Sequence, residues 1–331
     1  MKLYLIIFIF IILNMILYKN INKLSEIIKI FDYPDSFRKK HIRPTPLLGG
    51  TFLLINLFII VILNNQINLV EDIFYKDVDF IFFSTLVYFL GIYDDKINIK
   101  ANIKFFTLLL IVLFFLIVNN HLIINKIYFQ TFNSGFSLKS FSLFFTVLCI
   151  MLFLNACNMF DGINLQLSTY SLQIFIYFFL KEINPYFSCL MIIFLIFFIY
   201  YNKDEQIFFG DSGSFLIGFI ICFIILSYNN QSYPSISAEE IFLLMALPGI
   251  DMFRLFVMRI INKKNPFSPD GNHIHHLFVK KYGFLKATIL IQLIITSCLI
   301  LGSFFNTILI ISLIILIYIF IIYKFRSLLI K

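Results

Sequence analysis

Apolar residues run along this chain in long blocks separated by short polar stretches. Eleven such runs stand out, at roughly 3–18, 47–63, 79–93, 103–118, 141–157, 169–181, 186–201, 213–228, 239–257, 287–303 and 306–323. A helix that crosses a bilayer needs about 20 mostly apolar residues, because its backbone polar groups must pair within the segment. The pattern therefore predicts an all-α, polytopic membrane protein with about eleven transmembrane helices, of which the third and sixth are the shortest. The first run follows a lone Lys2 and is followed by basic residues, with no small-residue cleavage site. It reads as a retained first helix, not as a signal peptide.

Composition strengthens this reading. Of 331 residues, 60% are hydrophobic, 13% are charged and 45 are Phe, which no water-soluble domain of this length resembles. The five cysteines lie in or at the ends of apolar runs at unrelated spacings and read as small core residues. A net charge of +8 raises the question of a nucleic-acid partner, and the distribution of the charge answers it. With the N-terminus outside, 21 of the 26 Lys and Arg residues fall on the inner side, and only Lys2, Lys76, Lys126, Lys139 and Lys181 remain outside. That is a positive-inside signal, so the basic charge sets topology and headgroup contact with membrane lipids, and no nucleic acid is expected.

The polar stretches on the inner side carry the chemistry. The first, from Phe31 to Gly50, holds Arg38, Lys39, Lys40 and Arg43 among prolines, as a lipid-headgroup cluster or a clamp for a phosphate. Its Gly49-Gly50 pair allows close backbone approach at the start of the second run. Asp94 and Asp95 end the third run. Adjacent carboxylates raise one another's pKa unless a cation, or a lysine such as Lys96, Lys100 or Lys104, relieves them. Asn155, Asn158 and Asp161 recur every three residues along one side of a helical turn that Asp161-Gly162 then breaks. Amides and a carboxylate so aligned can bind a metal, read a base edge or cap a helix end. Gly210-Asp211-Ser212-Gly213-Ser214 opens the eighth run, where small residues and free N–H groups favour a phosphate and Asp211 can carry a metal to it. Asp251 and Arg254 stand three apart within the ninth run and are expected to pair and to face the bundle interior. The stretch PFSPDGNHIHHLF, Pro266 to Phe278, then places three of the five histidines, His273, His275 and His276, beside Asp270. So dense a polar cluster is costly in so apolar a chain unless it faces water and does chemistry. The last two runs carry no acid and no histidine and read as scaffold.

Acids and histidines thus gather on one face, with lysines and a helix start suited to phosphate. This combination points to Mg²⁺-assisted phosphoryl transfer from a cytosolic nucleotide to an acceptor in the bilayer. A transporter would place its polar groups near the midplane in paired broken helices, and no internal repeat is present.

GIYDDKINIKANIKF, NACNMFDGIN, FFGDSGSFLIG and PFSPDGNHIHHLF occur in the order and topology of the polyprenyl-phosphate N-acetylhexosamine-1-phosphate transferases, glycosyltransferase family 4. The chain resembles that family from about Asp32 to Phe278, including the first inner loop DYPDSFRKKHIRPTPLLGG. The HIHH ending is similar to the bacterial branch that starts O-antigen, enterobacterial common antigen and teichoic-acid linkage units. The resemblance implies one polytopic membrane domain over 1–331, with catalytic cytoplasmic loops at about 19–46, 94–104, 155–168, 202–213 and 258–286. It also implies transfer of HexNAc-1-phosphate, GlcNAc-1-phosphate first, from a UDP-N-acetylhexosamine to undecaprenyl phosphate with release of UMP. The place implied is the bacterial cytoplasmic (inner) membrane.

By the same resemblance Asp94, Asp95 and Asp161 are catalytic carboxylates, one of the first two acting on the lipid phosphate. Asp211 with Asn158 holds Mg²⁺, or Mn²⁺, on the donor pyrophosphate. Asp161 and Asn164 lie where the family reads uridine, Asn155 belongs to the substrate-binding set, and Lys104 contacts phosphate. His273, His275 and His276 with Arg259 line the sugar-phosphate side. The chain departs from the family at DGINLQL, where DGIDGLA is usual, and at Asp270-Gly271, where Asp-Arg is usual and one phosphate-pairing cation is lost. Other readings are a phospho-MurNAc-pentapeptide transferase of the peptidoglycan branch, a transporter and a membrane scaffold. A CDP-alcohol phosphotransferase needs a longer aspartate repeat than follows Asp161-Gly162. Whether the chain forms a homodimer is left open by the sequence.

Overall fold

A computed structural model describes residues 2–34, 43–67, 77–229, 236–266 and 271–328 of the chain. Arg38, Lys39 and Lys40 of the first basic cluster, and Asp270 of the histidine stretch, lie outside the described residues. The helices are α1 (Lys2–Lys19), α2 (Ile21–Ile28), α3 (Gly49–Ile67), α4 (Asp77–Ile97), α5 (Ala101–Val118), α6 (Ser142–Phe160), α7 (Gln166–Leu180), α8 (Pro185–Asn202), α9 (Gly210–Asn229), α10 (Ala238–Ile261), α11 (Ile274–Tyr282), α12 (Phe284–Phe304) and α13 (Thr307–Lys324). Among the described residues strands are confined to two short antiparallel ladders, β1 (Phe31–Asp32) with β2 (Thr45–Pro46), and β3 (Lys126–Phe129) with β4 (Ser134–Ser137). The architecture is all-α.

Each of the eleven apolar runs coincides with a helix, all but α2 and α11 being accounted for in this way. Among the described residues seven helices, α5, α6, α8, α9, α10, α12 and α13, are long and apolar enough to cross a membrane; an eighth is added if α1 and α2, bent by 62° at Asn20, form one broken span. The remaining runs fall short for physical reasons. The 15-residue α7 is about 22 Å long at 1.5 Å per residue. α4 carries Asp77, Asp79, Asp94, Asp95 and Lys96 at its two ends. α9 is the most buried of the long helices, 83% of its apolar window against 22% for α5 and α13, so the latter two present the apolar exterior that a bilayer requires.

The chain divides into two compact units. The first comprises Met1–Ile111 and Leu167–Ile224. In it α3 packs on α1, α4 and α8. Buried Tyr18 stacks on Tyr201 at 5.0 Å and meets Phe52 edge-on at 4.9 Å. The amide of Asn14 donates to Asn56 Oδ1 at 2.8 Å and to its own helix at Phe10, the usual way to keep a polar side chain inside an apolar bundle. The segment entering α3 lies along the segment entering α9. Phe208 N–H donates to the Pro46 carbonyl at 3.0 Å, Gly49 N–H returns to the Phe208 carbonyl at 2.9 Å, and Thr45 Oγ1 donates to the Glu205 carbonyl at 3.0 Å. A Cβ on Gly50 would stand 2.5 Å from Ser212 Oγ, so the Gly49-Gly50 pair serves the close approach expected of it.

The second unit comprises Val112–Gln166 and Ile225–Lys331. Its long helix α10 packs against α6, α12 and α13, and α11 packs on α12. α10 begins at a full capping box, Ser237 with Glu240, and contains Pro248. The β3–β4 hairpin was not foreseen. The Glu239 carboxylate accepts the N–H groups of Gln130 and Thr131 at 3.2 and 3.1 Å and so ties the hairpin turn to the start of α10. All five cysteines are free thiols, as their spacing implied.

Candidate active site

In the first unit the last turn of α4, the first turn of α5 and the first turn of α9 meet. Asp94 and Asp95 follow the apolar stretch of α4, and the three-residue turn at 98–100 sends the chain back into α5. The turn is held by Asp94 itself, whose Oδ1 accepts Ile99 N–H at 2.7 Å while Asn98 adopts φ 55°. Lys104 then lies one turn into α5. Its ammonium donates to Asp94 Oδ2 at 2.7 Å and to Asp211 Oδ2 at 2.6 Å, and sits 5.5 Å from the centre of the Phe215 ring. Of the three lysines near the aspartate pair, Lys104 bridges it to the acid at the start of α9.

Asp95 does something different. Its two oxygens accept Asp211 N–H at 2.7 Å and Ser212 N–H at 3.1 Å, so a side chain of α4 caps α9 from outside that helix. This corrects the expectation that the first N–H groups of α9 are free for a substrate phosphate: the Asp211 and Ser212 amides are taken by Asp95. A Cβ on Gly91, one turn before, would collide with the Ser212 backbone, which is what lets α4 approach closely enough for the cap.

The two carboxyls are shifted together. Burial, then the neighbouring Asp211 carboxylate, push Asp94 up to about 6 against the pull of Lys104. Burial, then the charge of Asp211, push Asp95 up to about 7 against its bonds to the start of α9. One ammonium therefore leaves negative charge to spare. Oxygen donors with unspent charge are what a hard divalent cation takes. Among the described residues no group of three or more His, Cys, Asp or Glu side chains is placed to hold a metal ion. A cation on Asp211 would draw its other ligands from water and substrate phosphate, as Mg²⁺ commonly does.

The remaining candidates lie in the second unit. α6 ends at Phe160 with Asp161 as its C-cap, so Asn155, Asn158 and Asp161 do share one side of the last turns, as their spacing predicted. Asn155 donates to the Met151 carbonyl at 2.7 Å, and Asn164 Oδ1 accepts Leu165 N–H at 3.0 Å. The histidines cluster at the start of α11. His273 stacks on His275 at 5.3 Å with planes 4° apart, and His275 meets His276 at 4.3 Å and Phe160 edge-on at 6.2 Å. His275 is wholly buried, and burial, then the charges of His276 and His273, hold its pKa well below the usual imidazole value. A Cβ on Gly162 would collide with His275 Nε2, so the Asp161-Gly162 break and the histidine cluster are packed together. Buried Arg259 donates to the Pro266 carbonyl at 2.7 Å and ties the end of α10 to the start of the histidine stretch.

Asp251 and Arg254 pair at 3.0 Å as expected, but they also reach the histidines: Asp251 Oδ2 is 2.8 Å from His273 Nδ1. α13, which read as scaffold, supplies Tyr318, whose hydroxyl donates to Asp251 Oδ1 at 2.8 Å. Nothing in the sequence marked this residue, one tyrosine of 17 and placed in an otherwise apolar run.

Comparison with known proteins covers the same segments. The pattern of glycosyl transferase family 4 matches residues 78–229, which include Asp94, Asp95, Lys104, Asn155, Asn158, Asp161, Asn164 and Asp211. An undecaprenyl-phosphate alpha-N-acetylglucosaminyl 1-phosphate transferase of Thermotoga maritima is 29% identical over 266 residues, 80% of this chain and 77% of that protein. Proteins of the same name from Yersinia pestis and Escherichia coli K12 are each 26% identical, over 282 and 269 residues, covering 78% of this chain and 72% and 71% of theirs. The chain is thus similar to glycosyl transferase family 4 over residues 78–229, and to transferases of this name over about four-fifths of its length.

Proposed function

We propose that this multi-pass membrane protein transfers N-acetylhexosamine 1-phosphate, GlcNAc-1-phosphate in the first place, from its UDP-sugar to undecaprenyl phosphate. An oxygen of the lipid phosphate bonds to the sugar-linked phosphorus of the donor. The bond from that phosphorus to the bridging oxygen breaks, and UMP leaves with the oxygen. The observation that carries the reading is the Asp94–Lys104–Asp211 bridge set on the Asp95-capped start of α9. It sets one ammonium between two acids, and fixed charge of this kind supports a reaction in which two phosphate-bearing substrates are brought together against their repulsion. Asp94, the acid on the bridge, is the better placed of the pair to act on the lipid phosphate, while Asp95 holds Asp211 in place. Asp161, Asn155, Asn164, Arg259 and the three histidines are proposed for the donor, as the family resemblance implies.

A divalent cation, Mg²⁺ or Mn²⁺, is part of the proposal, held by Asp211 and, on the resemblance, Asn158. Bound there it supplies charge neutralisation for the donor pyrophosphate. The reading also carries an orientation: eleven spans, N-terminus outside, motifs on the cytoplasmic face of the bacterial inner membrane.

The test is UMP release by the purified protein with undecaprenyl phosphate and a panel of UDP-sugars. UDP-GlcNAc or a close N-acetylated derivative is expected to be used and UDP-MurNAc-pentapeptide to be poor. Equal use of the pentapeptide donor would overturn the branch but not the chemistry. Asp211→Asn is expected to lower turnover at least about hundredfold while the protein still inserts. Full activity of that variant in excess EDTA would sink the metal assignment.

A further inference from the structure

Asp251, in the second unit, is held by several partners at once. It sits 2% exposed inside α10. Its Oδ1 accepts Arg254 Nη2 at 3.0 Å and the Tyr318 hydroxyl at 2.8 Å; its Oδ2 lies 2.8 Å from His273 Nδ1; and Ile274 N–H reaches both oxygens at 3.2 Å. Arg254 extends the network by donating Nε to the Tyr318 hydroxyl at 2.6 Å and Nη2 to the Asn272 carbonyl at 2.6 Å. Three consecutive residues of the histidine stretch, Asn272, His273 and Ile274, are thus pinned to α10. His273 is the N-cap of α11 yet makes no side-chain cap of its own; Asp251 provides the cap from another helix.

This arrangement decides the tautomer. An ionised carboxylate only accepts, and Arg254 already balances its charge, so the imidazole meets Asp251 with a proton on Nδ1. In the neutral ring Nε2 is then an acceptor. A histidine so fixed takes an O–H or N–H donor, such as a sugar hydroxyl or an acetamido N–H, in preference to a bare phosphate oxygen.

We infer that Asp251 is a positioning residue of the donor site, locking His273 as its Nδ1–H tautomer with Nε2 offered to the sugar, and that Tyr318 of α13 is the second lock on the same carboxylate. The inference rests on the transferase reading for its substrate, not for its geometry. Asparagine at 251 would keep one accepting oxygen and turn a donating NH₂ toward Arg254 or His273, which favours the opposite tautomer.

Two measurements test it. The first is kinetic, with UDP-GlcNAc and undecaprenyl phosphate. Asp251→Asn is expected to lower kcat/KM for the donor about ten- to a hundredfold, the cost of one hydrogen bond to a charged group, and to leave the KM for the lipid within about twofold. Asp251→Glu should recover part of the loss. Combined with His273→Ala, Asp251→Asn should add almost nothing, because both remove the same contact. Tyr318→Phe deletes only a hydroxyl and should move the same parameter in the same direction by a smaller factor. Effects of Asp251→Asn and His273→Ala that multiply in the double variant, or an Asp251→Asn enzyme with unchanged donor kcat/KM, would overturn the assignment.

The second measurement is a ¹⁵N-histidine spectrum of the detergent-solubilised protein. His273, identified by its absence in His273→Ala, should report Nδ1–H in the unaltered protein and lose that signature in Asp251→Asn. An Nε2–H signature in the unaltered protein would overturn the inference. If the protein turns over none of the UDP-sugars with undecaprenyl phosphate, the transferase reading fails and the spectrum alone decides the tautomer.

Discussion

At the scale of single residues, two adjacent aspartates that look interchangeable in sequence have divided their work. Asp94 turns one oxygen to the Ile99 amide and the other to Lys104, while Asp95 spends both oxygens on the backbone of α9. Their elevated pKa values, about 6 and about 7 against an ordinary 3.8, give a pH dependence with a definite sign. In the native protein the protonated carboxyls are favoured, so these groups contribute stability at acid pH that is lost as the pH rises through 6 to 7. On the proposed function, activity needs Asp94 ionised against Lys104, so it runs the other way. UMP release should rise between about pH 5.5 and 7.5, while thermal stability in metal-free detergent falls between about pH 4 and 7 and then levels off. Activity and stability profiles that rise together there would count against raised carboxyls. None of this division was legible in the sequence. The Asp-Asp pair announced itself, but only the fold shows which acid faces the lysine and which faces the end of a helix.

At the scale of elements, helix termini within each unit are brought close by residues without side chains. The break after α6 packs on the histidine cluster because Gly162 has no Cβ to push into His275. Gly162→Ala should therefore act through the ring. His275 is fully buried, and a methyl group in that place forces it or the turn to shift, at a cost of about 1–3 kcal/mol for overpacking. The expected result is a melting temperature a few degrees lower and a donor kcat/KM that falls with it. Unchanged stability and kinetics would show that the two segments part without cost. The sequence reading located both segments, since Asp161-Gly162 ends an apolar helix and the histidines stand out from hydrocarbon. Their mutual contact depends on how α6 and α11 pack, which no local pattern encodes. The β3–β4 hairpin escaped for a similar reason. Its strands are four residues long, all exposed or half-buried, and part of their anchoring comes from Glu239 more than 100 residues away.

At the scale of the whole molecule, the exterior of α5 and α13 is apolar, and among the described residues seven or eight helices are long and apolar enough to cross a bilayer. The proposed orientation rests on the distribution of lysine and arginine, and labelling tests it directly. Lys264→Cys, at an exposed position after α10, should react with a membrane-impermeant thiol reagent only once cells are opened, with the unaltered protein and its five free cysteines as the background. Labelling in intact cells would reverse the topology and place the motifs on the other face.

The apolar runs by themselves determined the fold class and the position of eleven helices, because hydrocarbon length and backbone hydrogen bonding leave a membrane chain few alternatives. The polar interruptions carried the resemblance to a family and singled out most of the candidate residues, because a charged or amide group is too costly in such a chain to be incidental. The pairing of those groups was decided by tertiary structure alone. Lys104 joins Asp94 to an acid 107 positions beyond the lysine, Asp95 caps a helix 116 positions ahead, and Asp251 meets Tyr318 from the last helix 67 positions on. Hydrogen bonds need about 3 Å and a direction, and the hydrophobic pattern of a helix specifies neither which partner its polar end will meet nor at what angle.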